Sequence, residues 1–73
     1  MLENLRDIIK LRSGKFVMVD TRWTIDQGWE TMVFSCDGSG EVKNWSDLDC
    51  ARYANKEDAA IGHAEIINKW IKS

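Results

Sequence analysis

The sequence predicts a small two-layer α+β domain, an antiparallel β-meander of about three strands packed by a carboxy-terminal helix, with a short amino-terminal helix. Three observations predict this fold. A chain of 73 residues is long enough for one domain, residues 1–73, and not for two. Apolar residues alternate along the second quarter of the chain, which is the periodicity of a strand. In the last quarter they recur three and four residues apart, as on one face of a helix.

The amino-terminal segment has the apolar spacing of a short amphipathic helix. Its leucines and isoleucines recur three or four positions apart over residues 2–11. Ser13 and Gly14 then supply a break. The spacing therefore predicts a helix over residues 2–11.

Two alternating segments follow and predict a hairpin. Residues 16–25 switch to alternation, and residues 29–36 resume the β-branched and aromatic pattern. Asp26, Gln27 and Gly28 lie between them as a short turn. The sequence therefore predicts an antiparallel pair of strands.

The next stretch has the weakest pattern in the chain. A second turn at residues 37–40 predicts a short third strand over residues 41–45. Ser46 with Asp49 is typical of one helical turn, and residues 50–53 are predicted to be extended. The structure of residues 46–54 stays open at this level.

The carboxy-terminal helix has the clearest signals. Asn55 with Asp58 resembles a capping arrangement, which predicts a helix from Lys56 to Ile71. Gly62 is unfavourable inside a helix and indicates that a strand of this domain or a second chain approaches closely. The predicted sheet-facing stripe consists of Ala59, Ala60, His63, Ile66, Ile67, Trp70 and Ile71.

Charge is unevenly distributed along the chain. The net charge is −2, but residues 1–24 carry +2, residues 25–51 carry −5 and the remainder carries +1. An acidic surface repels phosphate backbones, so direct nucleic-acid binding is disfavoured and a protein with a basic surface is the expected partner. Ordinary solvated loop charge is the alternative.

No segment has the length and apolar character of a membrane span or a secretory signal, so we expect no membrane association and a cytoplasmic location. Cys36 and Cys50 are expected to be free thiols in a reducing compartment, with a disulfide possible if their Cα atoms lie within about 7 Å.

Few residues are available for catalysis or metal binding. His63 is the only histidine, so a zinc site would need carboxylate ligands. A general base and a hydrogen-bonded histidine at the core margin are the two interpretations of His63. The loop at Asp37 resembles part of a calcium loop but has Ser35 and Ser46 where terminal carboxylates are needed. We expect no enzyme activity, no metal and no cofactor.

Four tryptophans are many for this length, and tryptophan is enriched at the centres of protein interfaces. The alternative is that all four line a thin core. We expect at least one to be exposed, with Trp29 or Trp45 favoured because they lie near acidic turns. The predicted protein-binding residues are Trp29, Asp37, Glu41, Trp45, Asp47 and Asp49.

Five separated motifs occur in order between residues 29 and 70. They are Glu30-Thr31-Met32-Val33-Phe34, Leu48-Asp49, Arg52-Tyr53, Gly62-His63 and Trp70. In these motifs the chain resembles a group of short uncharacterised bacteriophage and prophage proteins. The resemblance implies a phage origin and brings no assigned activity.

Three functions compete on the sequence alone. The first is a phage accessory protein that binds a host or phage protein, conceivably as an inhibitor of a host defence nuclease. The second is a homo-oligomeric structural or assembly protein. The third is a small nucleic-acid-binding module that uses the basic side chains of the first third, namely Arg6, Lys10, Arg12, Lys15 and Arg22.

Overall fold

The domain has two layers, an antiparallel sheet and one helix. A computed structural model describes residues 4–73. The elements are β1 (Leu5–Lys10), β2 (Phe16–Thr24), β3 (Gly28–Cys36), β4 (Asp49–Tyr53) and α1 (Lys56–Ile71). Within residues 4–73 the sheet has four strands in the order β1-β2-β3-β4. The predicted α+β class is confirmed, with four strands in place of about three.

The central hairpin forms where the alternation predicts it. All nine residues of β2 pair antiparallel with β3. Gly28 closes the turn with a φ of 70°, a conformation that glycine adopts without strain. Val19 and Val33 are partners in this register and both are fully buried. Because partners in an antiparallel pair share a face, alternate positions of the two strands build one side of the core.

The predicted amino-terminal helix is wrong. Residues 2 and 3 of that prediction lie outside the described residues, and the rest is largely β1, an edge strand paired with β2. A helix of about ten residues is marginal by itself. As a strand, the segment forms backbone hydrogen bonds with β2 along one edge and packs Ile9 against the core. Strand pairing therefore outweighs the helical spacing of the apolar residues.

The break after this segment is a hairpin turn. Gly14 has a φ of 92°, and the Leu11 N–H donates to the Lys15 carbonyl over 2.7 Å. The turn brings β1 back along β2, with Asp7 opposite Val19.

The predicted third strand at residues 41–45 is also wrong. That segment keeps a single bridge, between Cys36 and Val42. β3 pairs instead with β4, which corresponds to the predicted extended piece at residues 50–53. Residues 46–49, all of them described, contain no helical turn.

Residues 37–48, the covering loop, fold over one face of the sheet instead of continuing along β3. Gly38 lies against the Phe16 ring, and a Cβ on Gly40 would meet Ile8 at less than 3.0 Å. Gly40 also has a φ of 90°. Glycines at these two positions let the backbone descend onto the sheet, which is why no strand forms there. The face beneath this loop, which carries Met18 and Phe34, is called the loop face below.

α1 covers the opposite face, the helix face. The Asn55 side chain accepts a hydrogen bond of 2.8 Å from the Asp58 N–H, so the predicted cap and helix bounds are confirmed. Ala60 and Ile71 are exposed, which corrects the predicted stripe. The core between helix and sheet consists of Val17, Val19, Val33 and Ile66, with Ile9, Leu11, Ala51, Ile67 and Trp70 at its margin.

Gly62 is the point of closest approach between helix and sheet. The Tyr53 ring of β4 occupies the space where a Cβ of residue 62 would lie. The close approach predicted from this glycine is therefore confirmed, and the neighbour is a strand of the same domain.

Cys36 and Cys50 are free. No helix within residues 4–73 is long and apolar enough to cross a bilayer.

Candidate functional site

Trp45 is the most exposed aromatic side chain that the structure describes. Its side chain belongs to the covering loop and packs edge-on against Phe34, with ring centroids 5.0 Å apart and planes at 69°. The residue is nevertheless 63% exposed. It borders a cleft of about 150 Å³ on the loop face, together with Asp20, Arg22, Met32 and Phe34. The Phe34 contact orients the indole while most of its surface stays in solvent.

The two favoured tryptophans do not share a surface. Trp29 is paired with Trp23 and Tyr53 across the sheet, and Trp29 is only 8% exposed. It lies on the helix face, whereas Trp45 lies on the loop face. The expectation of an exposed tryptophan is confirmed at Trp45 and wrong for Trp29.

Two of the four predicted acids hold local structure. Asp37 accepts hydrogen bonds from the Ser39 hydroxyl and from the backbone N–H groups of Ser39 and Glu41. The Ser39 hydroxyl, followed by the Glu41 N–H, lowers the pKa of Asp37 below its ordinary value. Asp49 accepts from Lys69 Nζ at 2.9 Å and from Trp70 Nε1 at 3.0 Å, and these bonds, the Lys69 bond first, lower its pKa.

The other two acids, Glu41 and Asp47, are exposed on the covering loop on either side of Trp45 in the chain. Neither has a salt bridge among the described residues. Of the four predicted acids, Glu41 and Asp47 are therefore the two whose carboxylates have no partner within the described part of the chain, and they flank the exposed Trp45 in the chain.

Next to the cleft, a ladder of alternating charge crosses the loop face. Asp20 is almost fully buried between Arg22, whose Nε and Nη2 donate at 2.8 and 2.5 Å, and Arg6, whose Nε donates at 3.4 Å. Glu30 accepts from Arg52 at 3.2 Å in the neighbouring row. Buried carboxylates are retained where cations and hydrogen bonds compensate them. The three guanidinium groups thus neutralise the charge of the two buried carboxylates.

A buried chain of hydrogen bonds ties β1 to the helix. His63 Nε2 lies 2.8 Å from the Asp7 carboxylate, and Nδ1 lies 2.6 Å from Thr21 Oγ1. Thr21 Oγ1 lies 2.5 Å from Thr31 Oγ1. In the neutral ring, Nε2–H donates to Asp7 and Nδ1 accepts from the Thr21 hydroxyl.

The hydrogen-bonded set of Asp7, His63 and Thr21 has the residue types of a nucleophilic triad, but a substrate could not reach the Thr21 hydroxyl. Thr21 has no exposed surface, and its hydroxyl is held between His63 and Thr31. Of the two interpretations of His63, its geometry is that of the hydrogen-bonded core histidine. Burial under the helix and the Thr31 contact act oppositely on Tyr53, and burial dominates, so the pKa of the phenol is raised.

Sequence reasoning missed Asp7, Thr21 and Thr31 as partners of His63. Asp7 lies 56 residues from His63 in the chain, and it was placed on a helix that does not form. The only signal was two threonines, Thr21 and Thr31, on strand faces otherwise rich in valine, and it is the observed register that makes them direct partners.

Within residues 4–73, no three His, Cys, Asp or Glu side chains come close enough together to hold an ion. Burial, with a smaller effect of Asp37, raises the pKa of Cys36, and burial, followed by Glu30, raises that of Cys50. Raised pKa values make both thiols less reactive.

The motifs that carry the phage resemblance meet one another in space. Glu30 pairs with Arg52, and Asp49 accepts from Trp70. The Tyr53 ring lies on Gly62. These contacts hold strands to each other and to the helix. No family model, curated protein or solved structure matches the chain.

Proposed function

We propose that this chain is a small, non-enzymatic accessory protein of phage type that binds a host or phage protein through the covering loop and the adjoining cleft. The observation that carries this proposal is Trp45, which is oriented by Phe34 and yet is 63% exposed. A rigid indole loses little conformational entropy on binding and is a preferred interface anchor. The cleft beside it offers Met32 and Phe34 as further apolar contact surface.

Charge defines the partner. Residues 37–49 contain four acids and one lysine. Among the described residues Asp37, Glu41 and Asp47 form no salt bridge, and of these three only Asp37 accepts hydrogen bonds with its carboxylate. A basic protein surface complements this loop. A groove that normally holds nucleic acid is such a surface, which makes a host defence nuclease a suitable partner.

The nucleic-acid alternative has less support from the geometry. The five basic residues on which it depends are divided between two places. Arg6 and Arg22 are bound to Asp20 on the loop face, whereas Lys10, Arg12 and Lys15 lie in or next to the β1–β2 turn.

Affinity capture with paired tryptophan variants tests the proposal. The tagged wild-type protein, Trp45→Ala and Trp23→Ala are used to capture proteins from a bacterial host lysate. Trp23 is the matched control because it is 39% exposed and lies on the helix face. A protein retained by the wild type and by Trp23→Ala but lost with Trp45→Ala supports the loop surface. Equal recovery with both variants, or loss with Trp23→Ala alone, contradicts it.

Kinetics with the purified partner test the role of charge. Exposed charges act on association and salt dependence, whereas a buried aromatic anchor acts on dissociation. Replacing Glu41 and Asp47 by their amides is expected to slow association most at low salt, and Trp45→Ala to shorten the lifetime of the complex at any salt. Asp26→Asn combined with Glu65→Gln removes the same charge elsewhere and serves as the control.

Light scattering separates the homo-oligomer from the binder. A mass that stays at one chain over a wide concentration range is expected. A stable dimer or ring, with no captured protein, contradicts the proposal and favours the assembly function.

A further inference from the structure

A second cavity lies on the helix face, between the first turns of α1 and the sheet. Its volume is about 200 Å³, and its walls are Leu5, Thr21, Trp29, Lys56, Ala59 and Ala60. The covering loop lies on the other side of the sheet, so this cavity plays no part in the proposed protein-binding surface.

The interior of this cavity is apolar. The one hydroxyl in its wall, that of Thr21, is already bonded to His63 and Thr31. Among residues 4–73, no buried side-chain nitrogen or oxygen lacks a hydrogen-bond partner. A cavity that presents no unsatisfied polar group holds water poorly and accepts an apolar group. Trp29, almost fully buried, provides an aromatic wall against which a planar ring can lie in an offset or edge-on arrangement.

The lining of the cavity carries one charged side chain, that of Lys56. Lys56 is the first residue of α1 and is exposed, and it has no salt bridge among the described residues. The amino-terminal end of the helix adds its own partial positive charge. Of the two acids in this turn, Asp58 is bonded to the Asn55 amide, and neither acid lines the cavity.

We propose that this cavity binds a small planar apolar carboxylate, with its ring against Trp29 and its carboxylate beside Lys56. Size sets the class of ligand. A cavity of about 150 Å³ accommodates benzene, whereas pockets for drug-sized ligands measure about 300 to 1,000 Å³. A cavity of about 200 Å³ therefore suits one ring with a short acidic arm.

Phenylacetate and its neutral analogue phenylacetamide are the probes, and nuclear magnetic resonance of the full chain is the assay. The indole N–H signal of Trp29 reports on the cavity, and those of Trp45 and Trp70 serve as internal controls. Phenylacetate is expected to shift the Trp29 signal saturably, with a dissociation constant of about 1 mM, as a ligand of this size allows. The two control signals should move little.

Two variants and their controls locate the ligand. Ala60→Leu places a larger side chain at the exposed rim and should abolish the Trp29 shift, whereas Ala64→Leu, one turn further along the helix, should leave it unchanged. Lys56→Gln should weaken phenylacetate about two- to fivefold, the range of an exposed ion pair, and leave phenylacetamide unaffected. Lys72→Gln is its control.

The proposal is overturned if 20 mM phenylacetate, about twenty times the expected dissociation constant, leaves the Trp29 signal of the folded protein in place. It is also overturned if the shift survives Ala60→Leu. Equal weakening of both probes by Lys56→Gln refutes the preference for an anion.

Discussion

Gly62→Ala tests the packing of the helix on the sheet. Adding a Cβ at an exposed helical glycine normally stabilises a protein, because alanine is favoured over glycine in a helix by about 1 kcal/mol. At this position the Cβ would lie less than 3.0 Å from three atoms of the Tyr53 ring. Ordinary van der Waals contact begins at 3.4 Å, so the ring or the helix has to move.

The size of the effect follows from what holds Tyr53. Its ring lies beneath the helix against Gly62, so either the ring has to leave this position or the helix has to lift when a Cβ is added. Overpacking of a core costs about 1 to 3 kcal/mol, and the short distances place this site at the upper end. Subtracting the helix preference of about 1 kcal/mol leaves a net loss of about 2 kcal/mol. This is a large fraction of the roughly 4 to 11 kcal/mol expected for a domain of this length.

Chemical denaturation of a double-mutant cycle is the assay. Gly62→Ala is compared in the wild-type and Tyr53→Ala backgrounds, and Ala64→Gly measures the local helix preference at an exposed position. We expect Gly62→Ala to lower the free energy of unfolding in the wild type and to raise it by about 1 kcal/mol once the ring is gone. If Gly62→Ala stabilises the wild-type protein as much as the Ala64 control implies, the close contact between helix and β4 is refuted.

Two further variants test individual hydrogen bonds. Thr21→Val keeps the shape of the side chain but leaves His63 Nδ1 without its partner, so the free energy of unfolding should fall by about 1 to 3 kcal/mol. Thr21→Ser keeps the hydroxyl and should retain most of the stability. Equal losses in both variants would disprove the role of the hydroxyl. Asp49→Asn removes a carboxylate whose pKa is lowered in the folded protein by Lys69 and then by Trp70. A depressed pKa contributes stability above the ordinary value of 3.8, and this contribution is lost as the pH falls through the folded value. Urea midpoints should therefore differ between wild type and Asp49→Asn at neutral pH and converge well below pH 3.8, and a difference that does not change with pH would contradict the linkage.

The candidate site was only partly visible in the sequence. Exposure of an indole beside acids was predicted, and Trp45 has it. Trp29 has the same local surroundings in the sequence, but its register on β3 turns it to the helix face. A difference of one position in a strand reverses the face of a side chain, so no count of nearby charges distinguishes the two tryptophans.

The sequence by itself determined the central hairpin and the helix. The β-branched and aromatic pattern of residues 16–25 and 29–36, a glycine at the turn and the Asn55 cap are local signals, and each matches the physics of the element that forms. Gly62 also predicted a close neighbour, because glycine is unfavourable inside a helix unless another group needs the space of a side chain.

Tertiary structure decided everything that depends on a partner distant in the chain. β1 is a strand because its backbone forms hydrogen bonds with β2. The covering loop lies on the sheet because the Trp45 ring packs against Phe34. Asp7 and His63 are 56 residues apart in the chain, and only the packing of the helix on the sheet brings their side chains into hydrogen-bond contact. Short segments have weak preferences of their own, so the energy of contacts made elsewhere in the chain selects their conformation, and the sequence pattern of the segment alone does not contain that energy.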